Sequence, residues 1–556
     1  VAESGTVTKE EQKLNGFLDE VDGEADATHA KASRYWDENL RLVKGEGAWK
    51  GSQNPLFLLN LIGNQYERKV GMISEAKPTF SVVSRVAEYG AMSKVLTRTC
   101  MAKLEEEEFP ITLERLARFG MATGCAFVQT VFDKNRDDVS ILCRDPRMVR
   151  LDPSVTEAAK LSRQAAYLRL DHVLALTDVR LQYPGRGALV EPDDRYSRFN
   201  KTDTRRTSAV SAVLNFLPRV WKPDGDTTKG PIERTLVKEY WIRDPDIGSW
   251  PGGRHIIRAG DVILLDEANR SQDQEPDLDM IDWRMDLDGP WGVDEVQELK
   301  KLNEAMNRLG DAIMRNALFN SQAWVIADSD ALDATQWKAL TTQGGLVVKK
   351  RPMREFRREA APQLPAYLFQ MLQTIPGMAD LVTGNADSLR SKPKGGLEAV
   401  VDGLQMTGSI MARIVARRFE SLVSRIGQRL ISRIIQYYTT DRMLNYYSVS
   451  GELINFLFER KKFREDDKGR TISADELPTL HKRFRFLVQP YSSLQTTKTQ
   501  RTQIALGLHQ ASGGRAMPMR RVLEMADIGD PDMLMAEARA EQESGQVPPP
   551  MPPVKR

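Results

Sequence analysis

The sequence predicts an α+β protein on three observations. Two β-branched runs, CAFVQTVFD and DVSILCR, flank the polar turn KNRDD, the pattern of two short strands. Residues 295–320 place Val296, Leu299, Leu302, Met306, Leu309, Ile313 and Ala317 on one helical face, with Asp294 and Glu295 at the positive end. From Leu397 to about Gln436 there is no proline, and Val400, Leu404, Met411, Ile414, Val415, Leu422, Ile426, Leu430 and Ile434 recur at helical spacing. That helix would run roughly 60 Å, with Gly403, Gly408 and Gly427 as bend or close-packing points.

The remaining elements follow in order. The first fifty residues are polar, with one amphipathic helix expected at Tyr35–Val43. Leu58, Leu61, Ile62 and Tyr66 predict a helix ending near Gly71, and AKPTFSVVS a strand. Helices are expected at Tyr89–Lys103 and 111–121. DPRMVRLDPSV is a short extended piece, since proline biases the residue before it toward β. Residues 185–232 lack periodicity and read as a surface excursion, with strands resuming at 234–243 and 254–266.

After the long stretch of acid at 261–298, a small module with strands AWVIA and GLVVKK ends in the basic run KKRPMREFRR. A helix over Leu364–Val382, interrupted at Pro376, precedes the flexible loop GNADSLRSKPKGG. Residues 445–490 have mixed strand character, with HKRFRFLVQP as a strand. Residues 491–545 are helical, and VPPPMPPVKR is an extended tail.

A chain of 556 residues predicts about three to five structural units. With 79 Lys+Arg against 77 Asp+Glu, any nucleic-acid role rests on local patches and not on the net charge. Cys100, Cys125 and Cys143 form no CxxC pair, which argues against a disulfide framework and fits a reducing compartment. The polar start carries no signal-peptide pattern and no stretch approaches 18 apolar residues, so neither secretion by that route nor a membrane partner is expected.

No phosphate loop, GxGxxG after a strand, HExxH or GxSxG occurs, so an autonomous NTPase, dinucleotide enzyme, zinc protease or serine hydrolase is not predicted, and no cofactor is implied. His29, His172, His255, His481 and His509 have no metal-ligand spacing. DWRMDLDGPWGVDE approaches an EF-hand loop, but Arg284 would stand where a calcium ligand is required, so it reads as an acidic turn. A metal-dependent nucleic-acid enzyme could draw on the acidic cluster at 266–288, with Asp266, Asp282, Asp286 or Asp288 holding divalent ions.

Three basic features stand beside this. Lys349, Lys350, Arg351, Arg354, Arg357 and Arg358 suit a phosphate-binding face or a partner-docking strand. Arg390, Lys392 and Lys394 lie in a glycine-bearing loop without aromatics, suited to backbone contact and not to base stacking. Arg418, Arg425, Arg429 and Arg433 run along the long helix beside its apolar stripe, as expected of intersubunit or intrahelix ion pairs, with Glu420 an available partner.

The order of elements, with DPRMVRLDPSV, GVDEVQELKKLNEAMNRLGDAIMRNALFN and GLEAVVDGLQMTGSIMARIVARRFESLVSRIGQRLISRIIQYYT as its most specific stretches, resembles the tailed-bacteriophage portal proteins over most of the chain. The resemblance implies a mostly helical portal-like fold with long stem and wing helices, a small α/β clip and a helical C-terminal crown. Residues 1–294 would be the N-terminal region and wing, 295–320 the first stem helix, 321–360 the clip and 361–383 the second stem helix. Residues 384–396 would be the tunnel loop, 397–490 the long wing helix and returning strands, 491–545 the crown and 546–556 the tail. The 185–232 excursion has no confident match in that plan.

It further implies a non-enzymatic ring of twelve subunits at one capsid vertex of the virion, made and assembled in the host cytoplasm. That ring would be the head–tail connector and the channel for genome packaging and ejection. Implied partners are double-stranded DNA without sequence specificity, the terminase large subunit, a head–tail adaptor, and the major capsid and scaffolding proteins. Arg390, Lys392 and Lys394 would face DNA, and the basic run of the clip would face DNA or a protein partner.

Overall fold

The computed structural model describes residues 9–46, 56–74, 80–134, 136–193, 196, 198–200, 227–229, 232–243, 253–321, 325–327, 356–358, 366–383, 398–447, 453–461, 467, 470–472 and 476–488. The expected strand GLVVKK, the loop 384–396, the crown helices and the tail lie outside them.

The helices are α1 (Lys9–Ala32), α2 (Trp36–Val43), α3 (Leu61–Ser74), α4 (Gly90–Glu106), α5 (Phe109–Thr123), α6 (Leu161–Gln164) and α7 (Leu176–Gln182). They continue with α8 (Val296–Ser321), α9 (Ala366–Thr383), α10 (Glu398–Tyr437) and α11 (Leu477–Leu480). The strands begin with β1 (Phe80–Ser84), β2 (Cys125–Asp133), β3 (Asp138–Arg144), β4 (Val149–Leu151), β5 (Tyr167–Ala175), β6 (Arg198–Asn200), β7 (Thr227–Lys229) and β8 (Arg234–Ile242). They end with β9 (Arg254–Ala259), β10 (Val262–Ala268), β11 (Leu278–Asp282), β12 (Val325–Ala327), β13 (Phe356–Arg358), β14 (Arg442–Tyr447), β15 (Leu453–Phe458) and β16 (Phe484–Val488). Every described strand pair is antiparallel, so the fold is α+β.

The chain divides into two units, one made of Val1–Asp37, Lys69–Asp294 and Ile410–Arg556, the other of Glu38–Arg68 and Glu295–Ser409. The first unit is built on a five-stranded sheet of order β10-β9-β8-β5-β4 and a three-stranded sheet of order β11-β2-β3. Strand β8 alternates: Tyr240 and Ile242 meet Leu14, Leu18, Val21 and Ala25 of α1 on one face, while Trp241 joins Phe127, Leu278, Met280 and Trp291 on the other. Val237 on that second side packs with Leu176 and Val179 of α7. The expected single strand over 254–266 is two strands, because Gly260 adopts a positive φ of 58° and turns the chain.

Helix α1 was not expected, and its charges explain why. Its buried stripe runs Leu14, Leu18, Val21, Asp22, Ala25 and His29, so a carboxylate sits where the pattern calls for an apolar residue. Asp22 is satisfied by the sheet: Arg169 Nη1 donates to it at 2.7 Å, Arg258 Nη2 at 2.8 Å and Tyr240 Oη at 3.0 Å, with Lys238 alongside. Burial pushes its carboxyl up, but Arg169 and Lys238 outweigh that and hold it below the usual range. A buried carboxylate so fully paired locks the helix in one register against the strands.

In the second unit α8 and α9 pack through Leu299, Leu302, Met306 and Leu309 against Leu372, Ile375, Ala379 and Val382. Helix α9 runs through Pro376 without a break. Between these helices the chain passes out through β12 and back through antiparallel β13. A second stripe on α8 is polar. Asn303, Asn307 and Asp311 accept from the backbone N–H groups of Leu61, Leu59 and Leu56 at 3.0, 2.7 and 2.8 Å. Asn307 Nδ2 also donates to the Leu59 carbonyl at 3.0 Å. Side-chain carbonyls on successive turns thereby satisfy a stretch of chain that has no strand partner.

Residues 410–437 of α10 belong to the first unit, and Val415, Leu422, Ile426, Leu430 and Ile434 are buried there as expected, whereas Ile414 is exposed. Gly427 lies directly under the ring of Phe486 from β16, which leaves no space for a Cβ. The close packing expected of this glycine is thus made with a returning strand.

A carboxylate in the five-stranded sheet makes this unit pH-sensitive. Glu239 on β8 lies 3.0 Å from His172 Nε2 of β5 and 2.8 Å from His255 Nε2 of β9. Burial pushes Glu239 up, but the two imidazoles outweigh it and hold the carboxyl at about 2. His255 is raised above 6.5: burial lowers it, and Glu239 more than compensates. A depressed acid stabilises the fold above its unfolded value of 4.5 and loses this as pH falls toward 2; a raised histidine stabilises below 6.5 and loses this as pH rises through its folded value. Thermal unfolding is therefore expected to show a Tm that falls as pH rises above 6.5, and Glu239→Gln should flatten that slope. A slope unchanged in the variant would assign it to other groups.

Candidate functional site

The arginines of α10 are brought together with the acidic segment that the sequence placed in a solvated turn. Arg425, Arg429 and Arg433 are spaced four residues apart and share one helical face, with Arg418 two turns before them. Each meets a carboxylate or carbonyl from 273–282. Arg418 pairs with Asp282, and Arg425 Nη2 donates to the Met280 carbonyl at 2.6 Å. Arg429 binds Asp279 and reaches Glu275 at 3.4 Å, and Arg433 binds Asp277 and lies 3.2 Å from Asp273. Gln436 continues the row by donating to the Arg270 carbonyl at 2.7 Å.

These pairs join the helix to a segment far from it in sequence, and for Arg429 and Arg433 they stand in place of the intrahelix or intersubunit pairs the sequence suggested. Arg429 and Arg433 are 4% and 1% exposed, far below what a contact awaiting another subunit requires. Burial alone would lower Arg429, but Asp279, Asp273 and Glu275 hold it protonated and raise it. The same applies to Arg433 with Asp277 and Asp273. Strand β11, which carries Asp279 and Asp282, was missed because its five residues LDMID read as part of the acidic run.

The carboxylates named for a divalent ion do not converge. Asp266 Oδ1 accepts from Arg254 Nε at 2.6 Å, Asp282 pairs with Arg418, and Asp286 Oδ1 accepts from the backbone N–H of Asp288 at 3.1 Å, closing its own turn. Among the described residues no group of three or more His, Cys, Asp or Glu side chains is placed to hold a metal ion. His29 packs edge-on to Trp36 and Trp291, a core position. Cys100 and Cys125 are buried, and burial pushes the Cys143 thiol up to about 12, away from the reactive thiolate form.

Arg390, Lys392, Lys394, Lys349, Lys350, Arg351, Arg354 and His509 lie outside the described residues. Arg357 and Arg358 belong to β13, where they pair in register with Ile326 and Val325 of β12. Beside the arginine row, a cleft of about 670 Å³ opens in the first unit, with Arg85, Lys160, Arg163 and Lys482 among the side chains lining it. Sequence reasoning missed it because these four come from segments far apart in the chain.

Breaking a buried pair strands its partner's charge. Arg429→Ala should therefore destabilise the first unit by about 3–5 kcal/mol in chemical denaturation. The double variant Arg429→Met, Asp279→Leu should recover most of that loss; a double variant as unstable as the single would mean that packing, not charge pairing, sets the cost.

No protein-family model matches the chain, and no curated protein matches it.

Proposed function

We propose that this chain is the ring-forming subunit of a tailed-bacteriophage portal, surrounding the channel through which double-stranded DNA is packaged and ejected. The observation that carries the reading is the second unit: two packed helices, α8 and α9, joined by a segment that leaves through β12 and returns through antiparallel β13. A helical pair joined through a small β module is the arrangement a stem and clip require. The 40-residue α10 that follows supplies the long wing helix of the same plan.

In this reading the residues between α9 and α10, with Arg390, Lys392 and Lys394, contact the DNA backbone. A few cations give sequence-independent attraction weak enough for the duplex to slide. The clip, with Arg357 and Arg358 on β13, docks the terminase large subunit and then the head–tail adaptor, and the outer surface meets capsid and scaffolding proteins. The site of action is the portal vertex of the virion. The competing reading, a metal-dependent nucleic-acid enzyme, is weakened at two of its four candidate carboxylates, since Asp266 and Asp282 are engaged by Arg254 and Arg418.

Light scattering after size exclusion, followed by negative-stain imaging, tests the assignment. The expected particle contains about twelve copies of the 62.7 kDa chain around a central hole, a closed cyclic assembly. A population that stays monomeric even with capsid and scaffolding proteins present would sink it. Replacing Arg390, Lys392 and Lys394 together with Ala should leave rings intact and impair DNA packaging or retention; loss of rings would make the loop an assembly element instead.

A further inference from the structure

The cleft beside α10 carries charge that the protein itself does not neutralise. Six cationic side chains line it against three carboxylates. The carboxylates are engaged: Asp273 by Arg433, Asp279 and Glu275 by Arg429. Arg425 is turned inward to the Met280 carbonyl and Ser421 Oγ. Lys160 pairs with Glu157 at 2.7 Å. Arg85, Arg163 and Lys482 remain, all exposed and forming no ion pair among the described residues. They come from three separate parts of the chain, after β1, in α6 and before β16, so the fold converges them on one opening.

A second, independent feature lies in the same wall. His481 lines the cleft and is only 5% exposed, and its Nδ1 makes no hydrogen bond of good geometry, the Pro478 carbonyl being the backbone acceptor near its ring. A buried ring nitrogen left unpaired costs free energy unless something outside the protein satisfies it. Burial holds this imidazole below its usual value, so near neutral pH it is uncharged and able to donate or accept one hydrogen bond. The neighbouring Gln428 donates to the carbonyls of His481 and Phe484 at 3.2 Å, which fixes this wall in place.

We propose that the cleft binds a polyphosphate chain, either free or as the phosphate tail of a nucleotide, with Arg85, Arg163 and Lys482 neutralising its charge and His481 Nδ1 hydrogen-bonding one of its oxygens. The volume, about 670 Å³, exceeds what a single orthophosphate fills. Three separate cations suit several linked oxyanions better than one. Phe484, which also lines the cleft, is fully buried and offers no face for a base to stack on, so the phosphates and not the base are recognised. This inference is independent of the ring assignment.

Titration calorimetry of the full chain with sodium tripolyphosphate, ATP and AMP tests it. Tripolyphosphate and ATP should bind with similar affinity, AMP at least about tenfold more weakly, and all should weaken as salt rises. Combined Arg85→Ala, Arg163→Ala and Lys482→Ala, all at exposed positions, should reduce tripolyphosphate affinity by about tenfold or more. The control Lys301→Ala, an exposed cation of the second unit, should leave it unchanged. His481→Gln should give a smaller loss. Absence of binding at millimolar tripolyphosphate would overturn the proposal, as would undiminished binding by the triple variant or equal affinity for AMP and ATP. A triple variant whose mass by light scattering drops below that of the parent would make the cleft a protein interface, which also overturns it.

Discussion

The row of arginines on α10 held against the carboxylates of 273–282 is the constraint on which the first unit depends. Taking Arg429, Arg433 and Asp279 out of water costs more than their attraction returns unless each finds its partner in good geometry. Such a contact tolerates neither rotation of the helix nor a slide by one turn, because either would bury unpaired charge. The apolar stripe of Leu422, Ile426, Leu430 and Ile434 supplies the driving force for burial, and hydrophobic contact alone is indifferent to small slips. The arginines convert that adhesive contact into a fixed one, and they carry β11, and through it β2 and β3, with them.

The same solution recurs where α1 covers the five-stranded sheet. Asp22 of α1 receives Arg169, Lys238 and Arg258 from three adjacent strands, so one carboxylate ties together β5, β8 and β9. The acid is on the helix in one case and the base in the other, and in both the helix is positioned by charge within an apolar frame.

What was legible in the sequence were elements whose apolar stripe runs unbroken, whatever polar residues they bury beside it. The strand pair at 125–133 and 138–144, the helix from Val296 and the long helix to Tyr437 fall where the periodicity placed them. Helix α1 and strand β11 escaped because Asp22, Asp279 and Asp282 occupy positions that a hydrophobic pattern reserves for apolar side chains. Strand β5, with Arg169 and Asp171 buried in its middle, escaped for the same reason. The arginine row itself was visible as a repeat of four. Its partners were not, because a pairing across about 150 residues leaves no local trace. The cleft was invisible on the same grounds: Arg85, Arg163 and Lys482 are ordinary surface residues until the fold gathers them.

The polar stripe on α8 has a different consequence. Asn303, Asn307 and Asp311 are spaced four apart, a rise of about 6 Å per step, while two extended residues advance about 6.6 Å. The two periods nearly coincide, so a helix can present one side-chain carbonyl to every second amide of an extended chain, as it does for Leu61 and Leu59. These three contacts read main chain, so the exposed side chains of Leu56, Leu58 and Leu59 are free to vary, whereas Leu61 is held by the core, Asn60 by the Val43 carbonyl and Phe57 by its packing on Gly310. The demand for a particular residue falls on Asn303, Asn307 and Asp311, whose helical, polar character would otherwise mark them as replaceable surface.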